Sequence, residues 1–221
     1  MRTEAVLFDL DGTLADTAPD LGASANHLRA QAGLPPLPLS ALRPHTSSGV
    51  RGMLGAAFGL TPDAPEYAGL AERFLHHYAD NLCVNTRLFE QMDEVLDALD
   101  GAGIRWGIVT NKRRQYTEPL MAALQLHERA CCIISGDSAP RPKPAPDPLL
   151  LACEVARLDA TRCLYVGDDL RDIQAGHAAG MVTVAAGWGY LGTDSTPENW
   201  QAHHLFQQPR ELLVLLGIEA C

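Results

Sequence analysis

The chain has 221 residues, 47% hydrophobic and 20% charged, an ordinary globular composition that suits one medium domain or a core with a smaller attached domain. Its formal net charge of −10 excludes general nucleic-acid binding, which needs a basic surface, and requires that any anionic substrate be held by local cations or backbone N–H groups. No run approaches the ~18 apolar residues that span a membrane. The first apolar run, Ala5–Phe8, passes at once into acidic residues rather than a signal-peptide pattern, so the expected location is the cytoplasm, with no membrane partner.

Ala5–Phe8 reads as a first buried strand. From about Asp16 to Cys83 no convincing strand follows. Leu21, Ala25, Leu28 and Ala32 share one face of a helix ended by Gly33 and Pro35-Pro36-Leu37-Pro38, and Val50–Phe58 and Glu66–Tyr78 read as further helices. Met92, Val95, Leu96 and Leu99 predict a helix closed by Gly101 and Gly103. Strands are expected at Trp106–Val109, Cys131–Ile134, Cys163–Val166 and Val182–Ala186, each a continuous apolar run as in a parallel sheet covered on both faces. One intervening helix starts at Asp147, as N-cap with Pro148 at the first helical position, and runs to Leu158. Another covers Arg171–Ala179 and stops at Gly180. The expected fold is α/β: a doubly wound, Rossmann-like parallel sheet core of residues 1–15 and 84–221, with a small all-helical cap domain, residues 16–83, inserted after the first strand.

The densest chemistry follows the first strand, in Phe8-Asp9-Leu10-Asp11-Gly12-Thr13. The C-terminal ends of strands form the binding crevice of open α/β sheets. Asp9 and Asp11 are alternate residues, so extended geometry puts both carboxylates on one side, and Gly12 permits a tight turn whose N–H groups suit a phosphate. Such a pair either binds a hard cation or divides nucleophile and acid/base roles. A helix cap or acidic turn is the bland alternative. A calcium loop would need further oxygen ligands where Leu14 and Ala15 stand.

Three more strand ends carry polar groups. Thr110 and the next N–H, in Val109-Thr110-Asn111-Lys112, suit phosphate oxygens. Lys143 stands in Arg141-Pro142-Lys143-Pro144-Ala145-Pro146, where the prolines restrict the backbone around a cation. Gly167-Asp168-Asp169-Leu170-Arg171-Asp172 gathers three carboxylates that repel one another unless a cation sits among them, which makes Mg²⁺ plausible with Lys143 as a second positive partner.

Taken in order, Asp9-Leu10-Asp11-Gly12-Thr13, Thr110, Lys143 and Gly167-Asp168-Asp169 resemble the four motifs of the haloacid dehalogenase-like hydrolases, over nearly the whole chain. The helical insert resembles that family's cap. Within the family the chain looks most like the phosphoglycolate phosphatase group. Val109–Lys112, Tyr165–Ile173 and Trp188-Gly189-Tyr190 are similar to the bacterial N-acetylmuramic acid 6-phosphate phosphatases of cell-wall recycling. The resemblance implies a phosphatase in which Asp9 attacks phosphorus and Asp11 protonates the leaving oxygen and then activates water. It implies Thr110 and Lys143 on the phosphate oxygens, with Gly12 and Asn111 beside them. Mg²⁺ would sit at the Asp9 side chain, the Asp11 carbonyl and Asp168, with Asp172 supporting the metal or Lys143. Asp11 favours phosphate chemistry over dehalogenation, whose halide needs no proton. A sugar phosphomutase shares all four motifs, and a non-catalytic phosphate-binding regulator is the rival of another class.

The expected substrate is a small phosphorylated metabolite chosen by the cap. Ser47-Ser48-Gly49-Val50-Arg51 is the candidate specificity loop, with Ser48 and Gly49 before a helix and Arg51 for a substrate carboxylate. Lys112-Arg113-Arg114 reads as a solvated face, and Trp188, Tyr190 and Trp200 as surface packing. Cys83, Cys131, Cys132, Cys153, Cys163 and Cys221 form no C-x-x-C pair and read as free, mostly buried thiols. His76-His77 and His203-His204 lack metal-ligand spacing. Oligomeric state is not legible.

Overall fold

The computed structural model describes residues 3–192 and 196–218. Strand β1, Ala5–Phe8, is buried at all four positions: Val6 and Phe8 join one apolar cluster, Ala5 and Leu7 another on the opposite face. A strand covered on both faces has no polar side to present, hence the unbroken apolar run. Next come β2 (Ala15–Asp16), α1 (Ala18–Gln31), α2 (Leu39–Leu42), a 3-10 turn over Arg43–Ser48, α3 (Gly49–Phe58) and α4 (Tyr67–Asp80). β3 (Arg87–Leu88) returns the chain to the core. It is followed by α5 (Met92–Gly101), β4 (Arg105–Val109), α6 (Arg114–Ala123), β5 (Ile133–Ile134), α7 (Asp147–Ala156), β6 (Cys163–Gly167), α8 (Leu170–Ala178), β7 (Val182–Ala186), β8 (His204–Phe206) and α9 (Glu211–Leu216).

The main sheet has the order β5-β4-β1-β6-β7-β8, with every neighbouring pair parallel. Apolar residues of α5, α6 and α9 cover one face (Met92, Leu96, Leu120, Leu212), and those of α7 and α8 the other (Leu149, Ala152, Ala175). The strand order reverses at β1, so the crevice of this doubly wound sheet opens at the C-terminal end of β1, between β4 and β6. The helices α1–α4 form a cap subdomain on that side. They leave and rejoin the core through β2 and β3, which pair antiparallel as Ala15↔Leu88 and Asp16↔Arg87.

Several expectations need correcting. β2 and β3 are too short to give a strand pattern. β5 is the sheet edge and keeps strand geometry only at Ile133–Ile134, although Ile108 N–H still reaches the Cys132 carbonyl at 2.9 Å. Pro119 lies inside α6 and masks its periodicity. Pro146, not Asp147, is the N-cap of α7; the Asp147 carboxylate instead receives Arg141, at 3.0 and 2.8 Å. Tyr190 and Trp200 are buried rather than superficial: the Tyr190 hydroxyl accepts from the N–H groups of Thr17 and Ala18 at 2.7 and 2.9 Å. Cys132, Cys153 and Cys163 are buried free thiols, Cys83 and Cys131 half-buried ones, and Cys221 lies outside the described residues. No described helix is long and apolar enough to cross a membrane.

Candidate active site

Parallel pairing brings the sequence motifs together. Phe8 pairs with Ile108 on one side and Val166 on the other, so the residues just past these strands converge. Asp9 donates its N–H to the Val166 carbonyl at 2.9 Å, and Thr110 its N–H to Ile134 at 2.9 Å. Lys143 arrives from the segment before α7 and is clamped by Asn111. The Asn111 amide donates to the Lys143 carbonyl and accepts from the Lys143 N–H, both at 3.0 Å. The Asn111 side chain is therefore committed to holding Lys143. A cavity of about 440 Å³ lies over these strand ends, under the cap.

The Lys143 ammonium is buried. It donates to Asp172 (2.6 Å), the Tyr165 hydroxyl (2.7 Å) and the Val109 carbonyl (3.0 Å). It also pairs with Asp9 Oδ1 at 2.9 Å, and that buried oxygen has no other partner among the described residues. Burial alone would lower the Lys143 pKa, but Asp172 and Asp9 hold it above its ordinary value. Asp168 is fully buried and accepts from the Thr13 hydroxyl (3.1 Å), the Tyr190 N–H (2.9 Å) and the Ser47 hydroxyl (3.2 Å). Burial, then the charges of Asp9 and Asp172, push its carboxyl well above the usual range. Asp172 is pushed up to about 7, by burial and Asp9 against the opposing pull of Lys143.

Oxygens of Asp9, Asp168 and Asp172 all lie within 4.8 Å of one another. Three buried carboxylates with one buried ammonium leave excess negative charge, and the Asp9 oxygen has no partner besides that ammonium among the described residues. An all-oxygen set of this kind fits a hard divalent cation. Asp169 is not in the trio. It caps α8 through the Arg171 N–H, in a capping box with Asp172, and pairs with the Arg171 guanidinium at 2.8 Å, which holds its carboxyl below the ordinary value despite burial.

The Asp11 carboxylate also stays out of the trio. Its Oδ1 accepts from the Thr17 hydroxyl at 2.6 Å and from Lys112 at 3.0 Å. Lys112 is thus no solvated side chain; it is a correction to the reading of Lys112-Arg113-Arg114, whose charge density hid it. The available signal was its spacing, two residues past Thr110 as Asp11 is two past Asp9. Gly12 is not on the cavity wall. At φ +91° it packs behind the site, where a Cβ would overlap the Asp168 carboxylate and Tyr190. Its role is close approach rather than substrate contact. Ser48, Gly49 and the exposed Arg51 line the cap side of the cavity. Ser47 was missed as an anchor: besides its contact to Asp168, its carbonyl accepts from Arg171 at 2.8 Å. Five cations, Arg51, Lys112, Arg113, Lys143 and Arg171, line the cavity with four carboxylates, so the local balance answers the global charge of −10.

The raised carboxyls make a pH-dependent prediction. Asp168 and Asp172 bind protons more tightly folded than unfolded. The stability they contribute is full below the ordinary value of 3.8 and is lost as pH climbs through their folded-state values, about 7 for Asp172. A divalent cation replaces those protons, so excess magnesium chloride should raise Tm more at about pH 8 than at about pH 5.5. An equal rise at both, read by thermal melts, would place the cation elsewhere.

Comparison with known proteins agrees with this geometry. The model of the haloacid dehalogenase-like hydrolase family matches residues 6–186. An N-acetylmuramic acid 6-phosphate phosphatase of Pseudomonas aeruginosa is 43% identical over 221 residues, 100% of this chain and 98% of that protein. A phosphoglycolate phosphatase of Xanthomonas campestris is 45% identical over 208 residues, 94% of each. The crystal structure of a predicted phosphoglycolate phosphatase from Haemophilus somnus superposes with a TM-score of 0.84 at 28% identity, covering 97% of this chain and 98% of that one. With its buried aspartate cluster at the switch point of a doubly wound sheet, and with identity running the length of these relatives, the chain belongs to the haloacid dehalogenase-like hydrolases, in the phosphoglycolate phosphatase group, and is a phosphatase.

Proposed function

We propose that this is a magnesium-dependent phosphomonoesterase working through an aspartyl-phosphate on Asp9, with residues 16–83 as cap over a core of residues 1–15 and 84–221. The observation that carries the chemistry is the Asp9 oxygen at the mouth of β1, 2.9 Å from a buried lysine, with Asp11 two residues on and turned away from the aspartate trio. A carboxylate oxygen of Asp9 attacks phosphorus, the bond from phosphorus to the leaving oxygen breaks, and the Asp11 carboxyl passes its proton to that oxygen. The Asp11 carboxylate then takes a proton from water as the water oxygen attacks phosphorus, which frees phosphate and restores Asp9. Lys143, Thr110 and the N–H groups of Leu10, Asp11 and Asn111, which have no protein acceptor among the described residues, are placed to hold phosphate oxygens. Magnesium, held by Asp9, Asp168, Asp172 and the Asp11 carbonyl, supplies charge neutralisation when bound.

For the substrate we propose N-acetylmuramic acid 6-phosphate. A cavity of about 440 Å³ is roomier than the two-carbon acid of 2-phosphoglycolate requires, and its cap side offers Leu75, Val50 and Arg51, apolar surface for a sugar ring and a cation for its lactyl carboxylate. The Pseudomonas relative carries that activity in its name. The test is phosphate release from both compounds, with and without EDTA. The expected result is a kcat/KM at least tenfold higher on the sugar phosphate, about 1.4 kcal/mol of selectivity, and loss of both activities with EDTA. Preference for 2-phosphoglycolate would overturn the substrate, and full activity in EDTA the metal. Isomerisation of a hexose 1-phosphate without net phosphate release would replace the hydrolase by a mutase.

A further inference from the structure

Lys112 has a position that the chemistry above does not use. Its side chain is 8% exposed, and its ammonium lies 3.0 and 3.3 Å from the two oxygens of Asp11. On the other side it sits over the ring of Tyr78, 4.7 Å from the ring centre. Tyr78 is on α4, in the cap, and is itself buried. An ammonium taken out of water is strongly unfavourable unless a carboxylate and an aromatic face receive it, and here the carboxylate comes from the core loop and the ring from the cap.

Asp11 therefore has two fixed donors, approaching from different elements. The Thr17 hydroxyl meets Oδ1 at 2.6 Å, and Lys112 spans both oxygens. Together they determine how the carboxyl plane is turned. Lys143, the other buried lysine of the cavity, is held by Asp172 and Asp9 and does not contact Asp11. The two cations have separate carboxylates.

We propose that Lys112 is a positioning residue for Asp11, seated by Tyr78 of the cap, and that it acts on departure of the leaving group rather than on the phosphate. Its two contacts, with the Thr17 hydroxyl, fix the plane of the Asp11 carboxyl and so aim the oxygen that passes its proton to the leaving group. This rests on the reading of Asp11 as the acid.

Leaving-group dependence separates that role from the others. A sugar or glycolate alkoxide needs a proton to depart; p-nitrophenolate does not. Lys112→Met keeps the length of the side chain and removes the charge. In single-turnover, acid-quenched reactions it should lower the rate of phosphoryl transfer to Asp9 from the better of the two natural-type substrates roughly 100-fold while changing the rate from p-nitrophenyl phosphate less than about fivefold. The retained transfer from p-nitrophenyl phosphate also shows that the variant is folded. Tyr78→Leu should shift the same ratio in the same direction by less. Asp11→Asn should show the same selective loss in this transfer step, whereas its steady-state turnover should fall on both substrates because the same carboxylate activates water in the second step; adding Lys112→Met to it should cost the transfer little more, because both act through one group. Equal losses on both substrates in Lys112→Met, or a raised KM with unchanged kcat, would overturn the proposal by placing Lys112 on the phosphate or the substrate body. If Asp11→Asn slows the transfer step equally from both substrates, it is the acid assignment that fails, and the proposal with it.

Discussion

Asp9→Asn should abolish phosphate release, by roughly 10⁴-fold or more, while leaving the protein folded. The amide keeps the shape of the side chain and its backbone bond to Val166 but has no anionic oxygen to attack phosphorus. No neighbour can stand in. Asp168 has its oxygens engaged by Thr13, Ser47 and the Tyr190 N–H, Asp172 holds Lys143, and Asp11 is turned to Lys112 and Thr17. Stability separates this substitution from a disruptive one. Removing one of three buried negative charges relieves repulsion, so the metal-free variant should melt no lower than the metal-free parent. Its gain in Tm from magnesium should shrink, since one ligand has lost its charge. Incubation with substrate followed by acid quench and intact-mass measurement should find a phosphoryl adduct on the parent and none on Asp9→Asn. Activity within tenfold of the parent would remove Asp9 from the mechanism.

Lys143→Met should damage both function and stability. The ammonium is the one cation in contact with Asp9 and Asp172 among the described residues. Its removal leaves buried carboxylates uncompensated, a loss of about 3–5 kcal/mol when one partner of a buried pair is removed. Turnover should fall roughly 10²- to 10³-fold, the usual effect of deleting a donor to developing charge. The two losses can be parted. Adding Asp172→Asn to Lys143→Met removes the stranded charge and should recover most of the melting temperature but none of the turnover. Recovery of turnover in the double variant would mean that Lys143 serves only to neutralise Asp172. Urea unfolding at about pH 8, where the carboxylates are most fully charged, gives the stability arm its greatest contrast.

Much of this was legible because the physics is local. An apolar run with no polar side, as in Ala5–Phe8, has only a two-sided sheet to go to, and this strand and Val182–Ala186, interrupted only by the buried Thr183, both have the expected bounds. Charged residues directly after such runs must lie at strand ends, which is how Asp9 and Asp168 could be read together. Where identity depends on a distant partner, the sequence is silent. Lys112 is buried because Asp11 and Tyr78 receive it, contacts across 101 and 34 positions, and nothing in Lys112-Arg113-Arg114 distinguishes it from its neighbours. Ser47 is tied to Asp168 across 121 positions. Gly12 was correctly suspected as a special backbone position, but only the fold shows that the atom excluded there is one that would strike Asp168. β8, three half-buried residues including His204, has no periodicity to recognise.

The short antiparallel pairing of Asp16 with Arg87 has a bearing on how such a protein can change. To the sheet, everything between these two residues is a hairpin loop whose ends are already stitched. The entropy of closing a loop grows only with the logarithm of its length, about 0.6 kcal/mol for each doubling. Loop closure by itself therefore sets little limit on how far the excursion lengthens or shortens, provided the two stitches are kept. What limits such editing is not the seam but the contacts made beyond it, Ser47 on Asp168 and Tyr78 on Lys112, through which the excursion shares in the chemistry.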